Sequence, residues 1–429
     1  MAINIGGLRE GVSIIGVGYT PFGNVLETPE IKDMTERELF AFAALEAMED
    51  AGIEAKDIDA FYFGHAMGET LSHQTAGSAA VADWIGMRNK PGFRHDTACA
   101  STNAGLGYAA TDIASGVRRV VLSGGVEITG SRPKEGKPPH IREPMIPEEL
   151  WFRTNYGADQ AYWYPSGLAP AYMLDLAVIA YGKKYGLTLE QLDDALNAAS
   201  ISNRRNGVRN PKATTFKKEF AEEAKEHGFG DVNEYLKSRF NPKIGAIARM
   251  YHLAIPVDGA SALILCPASM AKGLTDHPID VIGFGSTANV YYHEAELPWQ
   301  LDQGAFAQAY EMAKINPHKD VDYMSIHDCM GLQFTSGEAA GYFHPGEGWR
   351  VIMEGRTAFD GDRPLSTTGG RTVMGHAWSA SAGAEIAEAV RQMRGLCGTR
   401  QIKPVPEVSV IHNIGHGAHC SVCVLRTRS

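Results

Sequence analysis

Five kinds of segment occur twice along this chain, in the same order. The first copy opens with VSIIGVGYTP and the second with IDVIGFGSTA, each an apolar strand ending in Gly-x-Gly, so that Ile15, Gly16 and Gly18 answer to Ile282, Gly283 and Gly285. Helical stretches follow, ERELFAFAALEAMEDAGI and GAFAQAYEMAKI, and then the strand-like IDAFYFGHAM and VDYMSIHDCM. Next comes a small-residue turn leading into a helix, ACASTNAGLG in one copy and GHAWSASAGAEIAEAV in the other. Both copies finish on a buried strand, RRVVLSGGVE and EVSVIHNIGHG. Alternating strands and helices imply an α/β fold with mixed, helix-covered sheets. Two such halves stacked on one another give a five-layered αβαβα arrangement.

A chain of 429 residues is too long for one ordinary core. Residues 1–126 and 246–270 are expected to form the first half and 271–429 the second. Between them, 127–245 has another composition. SRPKEGKPPHIREPMIPEE is rich in Pro and charge, ELWFRTNYGADQAYWYPSG is aromatic, and APAYMLDLAVIAYGKKYGL and LEQLDDALNAASISNRR read as amphipathic helices. This segment is expected to be a cap domain growing from the first half, which resumes at PVDGASALILCP.

Net charge −10 argues against a nucleic-acid surface. The start, MAINIGGLREGVSIIG, lacks the basic and apolar regions of a signal peptide, and no apolar run reaches the roughly 18 residues of a membrane span. Six cysteines in so long a chain suggest a reducing cytoplasm. Cys420 and Cys423 have no second pair nearby, so no metal site is expected.

One cysteine stands out. Cys99 sits among Ala, Ser, Thr, Asn and Gly, at a turn entering a helix, where the macrodipole is expected to stabilise a thiolate. It is either a nucleophile or a buried helix-start residue. The repeat places His376 at the matching turn of the other half. If the halves pack by a pseudo-two-fold, the two helix starts face each other. IHDCM puts His327, Asp328 and Cys329 at the end of a second-half strand, and HNIGHG ends the last strand with flexible glycines.

These residues carry a resemblance. The chain resembles the thiolases over nearly its whole length, in the branch related to the sterol-carrier-protein-X and archaeal-type thiolases. ACAST at Cys99 matches the family's nucleophile motif, HDCM stands where the wider family has NEAF, and GHA at His376 stands for GHP. Ala377 replaces the proline, and NIG, with Asn413 and Gly415, replaces the usual Cys-x-Gly. The resemblance implies cleavage or formation of a 3-oxoacyl-CoA through an acyl-enzyme, with coenzyme A as substrate and no permanently bound cofactor. Cys99 would attack and His376 would deprotonate it. His327 and His376 would hold the enolate oxygen, and the backbone N–H groups of Cys99 and Gly415 the tetrahedral oxygen. Cys329 would move the proton at the α-carbon. His412 and His416 either touch the site or support it.

No P-loop is present; Arg204, Arg205 and Lys212 are the candidate contacts for the coenzyme A phosphates, and surface solubility accounts for them equally well. The aromatic stretch makes Trp151, Tyr162 and Trp163 candidates for an acyl pocket, an interface or plain packing. The branch includes thiolases that cut benzoylsuccinyl-CoA, so a bulky or aromatic acyl group is one implied substrate. It also implies a homodimer and a small partner subunit, an OB-fold with a zinc ribbon. Two alternatives stay open on the same fold: a non-CoA acyltransferase and a retro-aldol carbon–carbon lyase.

Overall fold

The computed structural model describes residues 10–138, 140–161, 163–167, 169–289, 297–416 and 419–428. The first copy of the repeat supplies β1 (Val12–Tyr19), β2 (Ala60–Gly64), β3 (Gly92–His95) and β4 (Val121–Glu127). A small antiparallel ribbon, β5 (Ser131–Pro133) with β6 (Arg142–Pro144), follows, and then β7 (Gly259–Pro267). The second copy supplies β8 (Ile279–Ala288), β9 (Tyr323–Ser325), β10 (Val408–Gly415) and β11 (His419–Thr427). The strand order is β3-β2-β4-β7-β1-β8-β11-β10-β9. Where the repeat suggests two sheets, the structure has one of nine strands, because β1 and β8 pair antiparallel at Val12 with Val281, Ser13 with Asp280 and Ile14 with Ile279.

Four helices make the remaining layers. The helix α1 (Glu36–Ala51) covers the first-half strands from outside. The helix α2 (Ser101–Ala114) touches β2, β4 and β7 on one side and β8 and β11 on the other. Between β4 and β7 lie α3 (Pro147–Ala158), α4 (Pro170–Tyr185) and α5 (Leu189–Gly207). The helix α6 (Gln303–Ala313) covers β8 and β11 from outside, and α7 (Trp378–Met393) touches β1, β4 and β7 as well as β9 and β10. Contact of α2 and α7 with both half-sheets requires the sheet to bend about the β1–β8 seam. The five layers are then α1, the first half-sheet, α2 with α7, the second half-sheet and α6.

The Gly-x-Gly pairs explain how closely the outer helices approach. A Cβ on Gly16 or Gly18 would fall on the carbonyl oxygens of Ala47 or Ala43 of α1, and one on Gly283 or Gly285 on those of Ala309 or Ala305 of α6. Each helix presents alanines at every fourth position toward its strand, Ala43, Ala47 and Ala51 in α1, and Ala305, Ala309 and Ala313 in α6, all buried. Gly285→Ala is expected to destabilise the protein by about 2 kcal/mol, as overpacking against backbone does, and to lower Tm by several degrees in a thermal melt.

The segment between β4 and β7 forms its own apolar cluster. Trp163, Met173, Leu174, Val178 and Tyr181 pack with Leu192 and Leu196 of α5, with Met330 and Leu332 from the loop after β9, and with Phe334 of the short helix Gln333–Ala339 that follows it. The roof of the cleft described below is therefore tied to the second half.

Candidate active site

Cys99 lies in a short 3-10 turn, Ala98–Ala100, two residues ahead of the first residue of α2. His376 stands two residues ahead of the first residue of α7. The equal offsets bring them together, Cys99 Sγ 3.0 Å from His376 Nε2. The turn is held tightly. Thr97 N–H donates to Ser101 Oγ at 3.0 Å, Ser101 Oγ donates to the Ala98 carbonyl at 2.6 Å, and Ala98 sits at φ +50°, a left-handed conformation costly for alanine. Such strain beside a reactive side chain marks a position fixed by its surroundings.

His376 Nδ1 lies 3.0 Å from Ser381 Oγ, which also accepts the Ala377 N–H at 3.0 Å. When Nδ1 donates to that hydroxyl, Nε2 keeps its lone pair facing Cys99. Across the cleft His327 Nε2 lies 2.9 Å from Cys329 Sγ, and the His327 and His376 rings meet edge to face at 5.7 Å. Donor atoms of Cys99, His327 and His376 all lie within 4.8 Å of one another. Gly415 closes the floor: a Cβ there would fall on the Thr97 carbonyl, so only glycine lets β10 end against the Cys99 turn. The next residue, His416, lines the same cleft beside Cys99.

Burial governs the charge states. The Cys99 thiol is pushed up to about 12, not down as its place before a helix suggests, because apolar desolvation outweighs the opposing Arg371 cation. Met67, Leu71, Leu150 and Trp378 pack around it. Cys329 is raised for the same reason, and His327 and His376 are held well below the usual imidazole range, so that both rings are neutral. The resting pair is thus thiol and neutral imidazole, a nucleophile beside an unoccupied base.

The cleft holds about 610 Å³ of empty space counted out through its open mouth. Cys99, His327, Cys329, His376, Gly415 and Trp151 all line it. Of the two histidines left open by the sequence, His416 lines it too, whereas His412 is buried behind it. His412 Nδ1 accepts the His327 N–H at 3.5 Å, and its Nε2 faces Asp302 at 3.2 Å. Trp163 is buried with its ring 3.9 Å from the His416 ring, so it backs the cleft rather than lining it. Tyr162 lies outside the described residues. Sequence reasoning missed Trp378, Thr154, Met173 and Ile414, which also line the cleft, as do Pro170, Leu253, Ala254 and Met330. Only Trp378, two positions after His376, carried a local signal.

The residues expected at the coenzyme A phosphates lie away from the cleft. Arg204 is buried under Phe216 and Phe220, 3.5 and 3.9 Å from their ring centres, and pairs with Glu223 at 2.7 Å. Arg205 pairs with Asp360 at 2.9 Å, and Lys212 with Glu46 at 2.6 Å. None lines the cleft, and each cation already has a carboxylate. Basic side chains do line recesses beside it. Arg94 is in the recess that shares Thr154, Trp378 and His416 with the cleft, and Arg132, Lys134, Lys137 and Arg153 surround another.

The family description "Thiolase, N-terminal domain" matches residues 12–269, and "Thiolase C-terminal domain-like" matches 292–427. The chain belongs to the thiolase family. It is an enzyme of the acyl-CoA thiolase class, an acyltransferase. An acetyl-CoA acetyltransferase of Methanothermobacter thermautotrophicus is 31% identical over 408 residues, spanning 94% of this chain and 96% of the relative. The benzoylsuccinyl-CoA thiolase subunit BbsB of Thauera aromatica is 27% identical, spanning 96% of each chain. Among solved structures, the Ltp2-ChsH2(DUF35) aldolase superposes with a TM-score of 0.71 at 20% identity, covering 98% of both chains, which shows the fold. No helix among the described residues is long and apolar enough to cross a membrane.

Proposed function

We propose that this chain cleaves or forms 3-oxoacyl-CoA by Claisen chemistry through an acyl group on Cys99. The observation that carries this reading is the pair of pairs in one cleft: Cys99 with His376 at 3.0 Å and Cys329 with His327 at 2.9 Å. In the cleavage direction the Cys99 proton passes to His376 Nε2, and the sulfur attacks the keto carbon. The backbone N–H groups of Cys99 and Gly415 take the tetrahedral oxygen. Collapse breaks the α–β carbon bond. His327 and His376 hold the enolate oxygen while Cys329 gives its proton to the α-carbon, releasing acetyl-CoA or its analogue. The Cys329 thiolate then takes the proton of an incoming coenzyme A thiol, which attacks the acyl-enzyme. Cys99 leaves and recovers its proton from His376.

Coenzyme A enters as substrate, with its phosphates over the basic side chains of the neighbouring recesses, Lys134 and Lys137 among them. Intact mass after incubation with acetyl-, acetoacetyl- and aromatic acyl-CoA esters tests the reading. An adduct equal to one acyl group is expected, and the absence of any adduct would favour the retro-aldol alternative, which needs no cysteine nucleophile.

Trp151 on the cleft wall supports a bulky or aromatic acyl group, benzoylsuccinyl-CoA being one example. Trp151→Ala is expected to raise KM for such a substrate about 10- to 100-fold more than for acetoacetyl-CoA, in line with the worth of a buried aromatic contact. Equal changes for both would remove the aromatic preference. The free edge of β3 supports homodimerisation, since it exposes Phe93 stacked on Tyr62. The likeness to the two-component Ltp2-ChsH2(DUF35) aldolase supports a small partner subunit. All six cysteines are free, in keeping with a reducing, cytoplasmic setting.

A further inference from the structure

Behind the cleft, one buried chain of polar groups joins the segments that supply the site, and no step above uses it. Arg371, fully buried, donates Nη1 to Glu385 Oε1 at 2.7 Å and Nη2 to Glu385 Oε2 at 3.1 Å. Its backbone N–H donates to Asp328 Oδ1 at 2.8 Å, between His327 and Cys329, and its Nη1 stands 3.9 Å from the same oxygen. Its carbonyl accepts the Ile255 N–H at 3.4 Å, and the Ile255 carbonyl accepts the His376 N–H at 2.8 Å. Glu385 Oε2 also accepts Asn413 Nδ2 at 2.9 Å, two residues before Gly415. Asn413 Oδ1 in turn accepts Asn103 Nδ2 at 3.0 Å, one helical turn beyond Cys99.

We propose that Arg371 is a positioning residue for this site: paired with Glu385, its guanidinium fixes the segments bearing Cys99, His327, Cys329, His376 and Gly415 in one arrangement and holds positive charge behind the two sulfurs. The proposal rests on the reading of Cys99 as the nucleophile. A buried ion pair is poor stabilisation compared with apolar packing of the same volume, so its place at the junction of every motif calls for another role. The field acts in one useful sense. Arg371 opposes the burial that raises Cys99 and Cys329, and adds to the burial that keeps His327 and His376 neutral. Both thiols become better acids and both rings remain bases. The other charged groups facing Cys99, Glu127 of β4 and Asp96 of the loop before it, act against this, and the test leaves both intact. Burial pushes the Glu385 carboxyl up, and Arg371 counters it.

The test is the pH dependence of Cys99 alkylation by iodoacetamide, read by peptide mass, together with steady-state turnover. Glu385→Gln keeps the shape and removes the partner's charge, so the pH that gives a fixed alkylation rate, read on the rising limb below the thiol's midpoint, is expected to fall by about one unit. Arg371→Met is expected to raise it by about one unit and to lower kcat at least about tenfold, with KM within about threefold. Arg371→Lys, which keeps the charge but loses the fork, is expected to restore the pH profile and not the rate. A merely structural ion pair would not move the profile in opposite directions. Unmoved profiles in folded Glu385→Gln and Arg371→Met overturn the proposal. If Arg371→Met does not fold, an unmoved profile in Glu385→Gln does so alone. If the profiles move as expected while no acyl-CoA ever labels wild-type Cys99, the reaction class has failed and the positioning has not.

Discussion

Cys99→Ala is expected to lose covalent acylation completely and turnover by about 10³-fold or more, as removal of a nucleophile does elsewhere. The protein is expected to stay folded. The change deletes one sulfur from a small cavity among Met67, Leu71, Leu150 and Trp378, which costs on the order of 1 kcal/mol, and alanine suits the tight turn as well as cysteine does. Intact mass with an acyl-CoA and a thermal melt of the same sample decide it. Unchanged turnover in the folded variant would sink the acyl-enzyme. Loss of soluble protein would make Cys99 a packing residue, the reading the sequence left open beside the nucleophilic one.

The second large effect is a separation of half-reactions. Cys329→Ala is expected to leave acyl-enzyme formation from a simple acyl-CoA nearly intact, because that step needs Cys99 and His376, 3.0 Å apart and untouched by the change. Carbon–carbon cleavage and α-proton exchange are expected to fall about 100-fold or more, the usual weight of a general acid or base. Deuterium exchange into acetyl-CoA, followed beside acyl transfer, measures the two separately. An equal fall in both would mean that Cys329 does not carry the proton, and that its 2.9 Å contact with His327 serves to orient the ring.

The four side chains that meet in the cleft were legible as candidates because each occurs inside a repeated unit. Cys99 and His376 head equivalent small-residue helices, and Cys329 follows His327 at the end of a strand-like run with a counterpart in the first half. Periodicity and turn composition are local signals, and they were enough to predict the five layers. What local signals do not carry is burial. Cys99 was expected to be acidified by its helix, but the surroundings that desolvate it come from three distant segments, around Met67 and Leu71, Leu150 and Trp378. Arg204 was expected at a phosphate and instead lies under Phe216 and Phe220, which follow it by a dozen residues or more in a segment of another composition. Arg371, in a run of Gly and Thr, reads as an ordinary surface cation until Glu385 and Asp328 close over it. The single sheet escaped notice likewise, because the β1–β8 seam rests on only three residue pairs.

The equal offset of Cys99 and His376 from their helices bears on how such a protein can have come about. Two identical halves related by the same two-fold would set like against like at this point, thiol facing thiol or imidazole facing imidazole. Neither couple places a base next to a nucleophile. The chemistry begins only when the two copies differ at this one place, and a homodimer of separate halves, encoded once, has no means of keeping such a difference. Fusion into one chain lets each copy drift on its own, one toward attack and the other toward proton transfer, while Gly16, Gly18, Gly283 and Gly285 still record that both began as the same strand against the same helix.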